Sequence, residues 1–521
     1  MLKKFLIVDL TAPYFRHSTK DVIGAGARTI AGILEERNLG VKIMDRMPQV
    51  DRLQEVDVLM VSGMSVNRRD CIRLINLWRR VSKSPAILGG PIACDPSMIR
   101  YGFDLAIIGE GEKILEALLE NGLSDAQLPE ENFLKNLRGI SFISQDELIV
   151  NPLAPTLTPR DWSKYSPSFH RIKDYRNYRW ARVYVEVVRG CSNSFRTTIR
   201  LPDGRKCTFC NLCRTGSGEE RWRCPLNIPP GCGYCSVPSF LGPSKSRRID
   251  SIAREVSGLV EEGVRRVVLS GSDILEYGRS NFNTFQTDPE NPPPDPEALE
   301  ELLSTVSSII CDRAVVMAEN LKANLLNEEI AKILGKYLKD TPIHIGVETG
   351  SKEYSKALGR PSTPSDALKA IKLLKKYGLR PYIYFLHGLP EQPEDHISKS
   401  IELMEKCVSL GVEKITVYRF RALPMSAFSG FPSAPPSRSS PTAEKLVSKA
   451  TSVNREAKKR LLNKIVDVVV GDWDGKHQYL YPLRHGPTII VDRRLPEGMI
   501  LKVRIVCILS DRLLKAELLE P

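Results

Sequence analysis

The chain has 521 residues, of which 42% are hydrophobic and 26% charged, with a formal net charge of +13. That size allows about two to four domains with ample cores, and no secretory leader or apolar run long enough to span a bilayer is present. The positive balance points to an anionic partner such as nucleic acid, although a general basic bias explains charge alone equally well.

The first 120 residues alternate strand and helix signals. Apolar runs at Lys4 to Leu10, Val41 to Met44, Val56 to Ser62, Ala86 to Gly89 and Leu105 to Ile108 predict strands, with helices at Ala25 to Arg37 and Asp70 to Val81. This pattern predicts an α/β, doubly wound (Rossmann-like) domain over residues 1–150. Gly89 and Gly90 follow the fourth strand, and Gly109 and Gly111 follow the fifth, where strand ends form a ligand crevice. Glycines there let a backbone approach a ligand, or simply make tight turns. Residues 121 to 180 read as a Pro- and Asp-rich connector.

From Val183 the strand–helix alternation resumes. Strands are predicted at Val183 to Cys191, Arg265 to Ser270, Arg313 to Ala318, His344 to Glu348, Pro381 to Leu386 and Lys414 to Tyr418. Six such units over 180–430 predict a partial (β/α)6 barrel rather than a closed eight-fold one. Seven of the 12 cysteines fall in this region, within residues 191–235. Cys191 ends a strand and Cys232-x2-Cys235 forms a loop, while an insertion over 192–231 carries Cys207, Cys210, Cys213 and Cys224. So dense a set, in a chain too large to need disulfide staples, reads as metal or iron–sulfur ligation in a reducing, cytoplasmic compartment. Cys71, Cys94, Cys311, Cys407 and Cys507 stand singly and read as packing residues.

Ser429 to Pro441 reads as a low-complexity linker, followed by a basic helix over Ala443 to Lys464. Five short strands, Val466 to Val470, Tyr479 to Tyr481, Thr488 to Val491, Met499 to Val506 and Leu513 to Leu518, then predict a small β-barrel over 465–521.

Arg189-Gly190-Cys191 and Cys232-Gly233-Tyr234-Cys235 resemble the Cys-x3-Cys-x2-Cys loop of the radical S-adenosylmethionine (SAM) superfamily, split by the insertion. The resemblance implies a [4Fe-4S] cluster on Cys191, Cys232 and Cys235, with an open iron for S-adenosylmethionine and Tyr234 flanking its adenine; the alternative set, Cys207-x2-Cys210-x2-Cys213, is tighter than the usual loop and sits in turn-like rather than strand-borne surroundings. Gly271-Ser272-Asp273 stands where the superfamily has a Gly-Gly-Glu motif, but without the glutamate. By the same resemblance Glu319 and Glu348 hold ribose or substrate and are the catalytic candidates, and Arg360 and Gly388 belong to the fifth- and sixth-strand motifs. Arg419 and Arg421 face either substrate phosphate or solvent. The four inserted cysteines match zinc or an auxiliary cluster.

Leu88-Gly89-Gly90-Pro91 and Gly109-Glu110-Gly111-Glu112 resemble the two loops of the cobalamin (B12)-binding-like domain that precedes many radical SAM enzymes. The cobalt-ligating Asp-x-His-x-x-Gly motif is missing, since Asp9 and His17 are wrongly spaced. The resemblance therefore leaves two readings, cobalamin bound without a protein ligand or a vestigial fold. The last segment resembles the RNA-binding TRAM domain of tRNA methylthiotransferases, with Lys476, Tyr479, Arg484, His485 and Arg493 as contact candidates.

Together these resemblances imply a cytoplasmic enzyme that cleaves S-adenosylmethionine to a 5′-deoxyadenosyl radical for methyl or methylthio transfer to RNA, in particular tRNA, with an external electron donor and no membrane. Two alternatives stay open at this stage. One is a cobalamin-dependent C-methyltransferase acting on a protein or small molecule; the other is a non-catalytic RNA-binding iron–sulfur protein.

Overall fold

The computed structural model describes residues 2–12, 14, 15 and 19–519; His17 lies outside them. The chain divides into two compact units, Met1–Val185 with Arg247–Val264, and Glu186–Ser246 with Arg265–Pro521.

In the first unit Lys4–Asp9 runs parallel between Gly40–Met44 and Val58–Ser62, followed by Ala86–Gly89 and Leu105–Ile107. Phe5, Leu6, Ile7 and Val8 are all buried, the continuous apolar run of a parallel strand covered on both faces. Strand order reverses beside Lys4–Asp9, so the crevice of a doubly wound sheet opens past Asp9 and Ser62. The expected connector supplies two further, antiparallel strands, Ile140–Ser144 and Glu147–Val150. Their turn uses Gln145 and Asp146 at positive φ, which lacks the Asn-Gly or Asp-Gly signature that marks such hairpins in a sequence.

A charged triad ties this unit to a helix from a later part of the chain. Arg28, fully buried, donates to Glu255 at 2.8 Å and to the Tyr184 carbonyl at 2.6 Å, and Arg247 donates to the other oxygen of Glu255. Removing one member of such a buried set typically costs about 3–5 kcal/mol, because the remaining charge loses its partner. Helix Ile249–Glu261, which carries Glu255, is thereby fixed in the first unit.

In the second unit Arg266–Ser270 pairs in parallel with Val315–Ala318, and Asn320–Leu321, Pro342–Glu348, Arg380–His387 and Lys414–Arg419 follow in parallel. Val187 donates to the Ser270 carbonyl at 2.9 Å, bringing the segment that leads into Cys191 alongside. These are the expected barrel strands, with ends shifted by a few residues. Glu319 falls at a break between two of them. The last strand is not left as an open edge, since Asn454 of helix Pro441–Lys459 exchanges hydrogen bonds with both the N–H and the carbonyl of Ile415, at 2.8 and 2.7 Å.

The segment read as a flexible linker, Ser429 to Pro441, is instead an ordered strap. Ala434 is buried, its N–H bonds the Phe420 carbonyl at 3.1 Å, and it fills the space that a side chain at Gly388 would need. Composition signalled Pro and Ser, but Phe431 packs on the core and the Ser433 hydroxyl accepts from the Ala422 N–H at 3.0 Å, so a few residues anchor the segment. The tail forms the expected closed barrel, Ile465–Trp473, Gln478–Pro482, Thr488–Val491, Leu513–Leu518 and Ile500–Ile508 in spatial order. Val468, Val470, Leu480, Val503, Ile505 and Leu514 fill its interior. No helix among the described residues is long and apolar enough to cross a membrane.

His396 opens helix His396–Ser409, almost fully buried, with Nδ1 3.0 Å from the Thr349 hydroxyl. Burial pulls its pKa down to about 4, outweighing the opposing influence of Asp395. An unfolded histidine titrates near 6.5, so on acidification the unfolded chain takes the proton first. This contribution to stability is complete above pH 6.5 and is lost between about 6.5 and 4, by up to ~3 kcal/mol. Urea unfolding at pH 7.5 and 5.0 should show the fall in the natural chain, and His396→Gln should flatten it.

Candidate functional site

The three cysteines of the split signature converge. Cys191, Cys232 and Cys235 lie within electrostatic range of one another. Gly190, at φ 80°, turns the chain just before Cys191, where any Cβ would run into the Pro243 carbonyl. Cys235 N–H closes on the Cys232 carbonyl at 2.8 Å, and the Asn193 amide reaches the Cys232 sulfur at 3.4 Å and the Gly359 carbonyl at 3.0 Å. Burial pushes the Cys191 thiol up and the Cys235 thiol up to about 12.

Beside them lies a cationic relay that the sequence did not reveal. Lys322 bonds Glu276 and, at 3.1 Å, the Ser192 hydroxyl, and Glu276 also accepts from Ser192 and from Arg279. Burial disfavours charge on both ends, but the neighbouring Cys191 and Glu276 hold Lys322 protonated, and Lys322 and Arg279 hold the Glu276 carboxyl below its usual value. Asp273 takes the opposite course, pushed up by burial to about 7 against the pull of Lys322. Lys322 follows the short strand Asn320–Leu321; its one signal was a place near a strand end, three residues beyond Glu319.

Tyr234, Glu348 and Arg360, named separately from three motifs, meet directly. Arg360 donates to the Tyr234 hydroxyl, to Glu348 at 3.3 Å and to the Gly346 carbonyl at 2.7 Å. Glu348 sits at a bulge with φ 64°, a conformation non-glycine residues avoid and which clusters at ligand sites. Burial raises its pKa, with Arg360 and Tyr234 opposing. Glu319 is half-buried and, like Glu348, lies within electrostatic range of Tyr418. Gly271 packs on Val188, and the Ser272 hydroxyl bonds the Gly190 carbonyl at 2.5 Å, which joins this loop to the turn before Cys191. Gly388, at φ 74°, receives the Gln392 side chain on its N–H at 3.1 Å. Arg419 stands close enough to His387 to lower its pKa along with burial, and Arg421 is exposed.

The four inserted cysteines line one cavity of about 280 Å³. Among the isolated cysteines, Cys71, Cys94 and Cys407 are buried, as expected of packing residues, but Cys311 and Cys507 are exposed. Cys311 falls at the end of helix Pro296–Ile310. Cys507 has the parity of the interior residues Val503 and Ile505, and the register shift between Ile505 and Cys507 turns it to solvent on the barrel strand Ile500–Ile508.

In the first unit Gly90 has φ 77°, and a Cβ there would lie 2.8 Å from the Gly63 carbonyl oxygen; Gly109 has φ 96°, whereas Gly111 has an ordinary backbone at the start of helix Glu112–Glu120. Asp9, at the crevice, is buried and engaged by the Tyr175 hydroxyl at 2.8 Å and by Thr11. It is unavailable to orient a cobalt-ligating histidine. On the tail barrel Lys476, Arg484 and Arg493 are exposed and Tyr479 bonds Asp474. The half-buried His485 ring packs against His344 and Tyr382 at 6.2 and 6.0 Å.

Residues 223–404 match the Radical SAM superfamily and residues 13–119 match the B12 binding domain. The chain is 40% identical, over 99% of its length and 96% of the relative's, to Uncharacterized protein MK0932 of Methanopyrus kandleri. It is 23% identical over 48% of its length, and 55% of the relative's, to the threonylcarbamoyladenosine tRNA methylthiotransferase MtaB of Thermotoga maritima. In fold it is similar to the radical S-adenosylmethionine methyltransferase TsrM of Kitasatospora setae, solved with cobalamin and a [4Fe-4S] cluster, with a TM-score of 0.58 at 15% identity over 82% of this chain and 77% of that one.

Replacing Arg360 by Ala strands Glu348 and the Tyr234 hydroxyl without their donor. The expected loss is about 3–5 kcal/mol in chemical unfolding, with Arg360→Lys, which keeps charge but not the forked geometry, in between.

Proposed function

The chain belongs to the radical SAM superfamily and carries a B12-binding domain, and on that premise we propose that it is a cobalamin-dependent methyltransferase acting on RNA. It is an enzyme whose cofactors are a [4Fe-4S] cluster, S-adenosylmethionine and cobalamin. The observation that carries methyl transfer is a three-thiol cluster loop and a B12-binding domain in one chain. When bound, the cluster supplies the electron that cleaves S-adenosylmethionine to a 5′-deoxyadenosyl radical, and cobalamin carries the methyl group.

The residues divide the remaining work. Cys191, Cys232 and Cys235 would hold the cluster, with Lys322 offsetting the negative charge that three thiolates bring. Arg360 holds Glu348 and Tyr234 in one fixed arrangement beside Cys232, where cofactor polar groups need a preorganised partner. Gly90 and Gly109, both at positive φ, turn the loops that follow strands Ala86–Gly89 and Leu105–Ile107, at the crevice where a large planar ligand would sit. Cobalamin would bind there without a cobalt ligand from an Asp-x-His-x-x-Gly motif.

Support for RNA comes from the closed barrel and the charge of the chain. Lys476, Arg484, Arg493, Arg494, Lys502 and Arg504 are exposed on the barrel, a density of cations suited to a phosphate backbone. Binding carried by such contacts weakens steeply with salt.

The test supplies the reconstituted, reduced protein with S-adenosylmethionine bearing a trideuterated methyl group, methylcobalamin and total RNA, followed by nucleoside mass spectrometry. Deuterated methyl on a nucleoside carbon, absent with Cys232→Ala, is the expected result. Label in protein alone, or 5′-deoxyadenosine without labelled RNA, would overturn the RNA assignment, and a methylthio mass gain would overturn methyl transfer.

A further inference from the structure

The insertion between Cys191 and Cys232 builds a second site of its own. Cys207, Cys210, Cys213 and Cys224 all line the 280 Å³ cavity, with Arg196, Arg214 and Arg223 among their neighbours. Arg196 is buried, 4% exposed, and its guanidinium is fixed by the carbonyls of Ile228 at 2.7 Å, Trp222 at 2.9 Å and Ser194. The same guanidinium lies within electrostatic range of Cys213, Cys224 and Cys207. A buried cation fixed among these four sulfurs would offset the negative charge of a thiolate-ligated centre placed there. The Phe209 N–H also points at the Cys207 sulfur at 3.4 Å, with Phe209 and Asn211 both at positive φ to turn the chain around it. Sulfur-directed N–H groups of this kind tune iron–sulfur centres.

Spacing separates the two occupants that four cysteines allow. A tetrahedral zinc ion draws its ligands to about 2.3 Å from one centre, so the sulfurs touch one another. Among the described residues no three Cys, His, Asp or Glu side chains are gathered closely enough to hold a single ion. This holds equally for Cys191, Cys232 and Cys235, whose ligand is a four-iron cube. The inserted cysteines surround open volume instead of a point. A cubane core, with its ligands at separate corners, fits such a cavity.

We propose that Cys207, Cys210, Cys213 and Cys224 hold a second, auxiliary [4Fe-4S] cluster, with Arg196 as its buried counter-cation. The inference rests on assigning Cys191, Cys232 and Cys235 to the radical cluster, and it is independent of the substrate. Loading transfers a [4Fe-4S]2+ core, two ferric and two ferrous irons with four sulfides, from four exogenous thiolate ligands to the four cysteine thiols. Four iron–cysteine bonds form as four iron–thiolate bonds break, the departing thiolates take the four cysteine protons, and no electron is exchanged. All four irons are then protein-ligated, so this cluster leaves no corner for S-adenosylmethionine.

The full chain is reconstituted anaerobically with iron and sulfide, in parallel with Cys207→Ser/Cys210→Ser/Cys213→Ser/Cys224→Ser and Cys191→Ala/Cys232→Ala/Cys235→Ala variants, and iron, sulfide and zinc are measured. The natural chain should hold about eight irons and eight sulfides, and each variant about four. In electron paramagnetic resonance of the reduced proteins, S-adenosylmethionine should change the spectrum of the first variant and leave that of the second unchanged. If the first variant does not fold, the second alone decides, by retaining or losing its four irons. About four irons with one zinc in the natural chain, about four irons without zinc, or no iron in the second variant would each overturn the proposal.

Discussion

The structure depends on bringing one strand-end sulfur back to a pair that lies far along the chain. Closing so long a loop costs entropy that grows slowly with length, so what decides the outcome is whether the two ends are clamped. They are clamped repeatedly. The Gly231 N–H bonds the Phe195 carbonyl at 2.8 Å, Arg196 bonds the Ile228 carbonyl, and Asn193 touches the Cys232 sulfur. The insertion thus leaves and returns at one place. A second set of bonds, from Gly233 to Leu358 and from Phe428 to Gly233, fixes the returning loop to the strap and to the fifth-strand motif that carries Arg360.

Because residues 193–196 serve both ends, the two cysteine sets are not mechanically separate. Asn193 addresses the radical-cluster loop and Arg196 the inserted cavity, on opposite ends of a four-residue stretch. Loss of order in the insertion would therefore be felt at Cys232. This coupling gives a physical reason for an insertion that would otherwise only lengthen a compact cofactor loop. Around the loop, charge is arranged in pairs: Lys322 faces Cys191 and Glu276, and Arg360 faces Glu348 and the Tyr234 hydroxyl. Buried charges left single at these distances would be far more costly than the pairs.

The parallel strands of both units were legible because each is a short apolar run bounded by turn residues, and their carboxyl ends could be named from the motifs. Tyr234, Glu348 and Arg360 were named one by one from separate motifs, and only the fold shows that they meet. Lys322 and Glu276 were not legible, since a lysine and a glutamate near strand or turn ends look like surface residues until their burial is known. The Ser429 to Pro441 strap failed for the opposite reason, as its composition suggests solvation while a few residues, Phe431, Ser433 and Ala434, anchor it. The neighbours of the His485 ring, His344 and Tyr382, are far away in sequence and only the fold brings them near. The Gln145-Asp146 hairpin was hidden because neither residue advertises positive φ.

The central claim, that Cys191, Cys232 and Cys235 present one open iron to S-adenosylmethionine, is tested most directly by electron–nuclear double resonance. The reduced protein would be measured with S-adenosylmethionine labelled in its amino nitrogen and carboxylate oxygens. Hyperfine coupling of those nuclei to a cluster, retained when the four inserted cysteines are replaced, is the predicted result. No coupling in the natural chain, or coupling that disappears with the inserted cysteines, would contradict it.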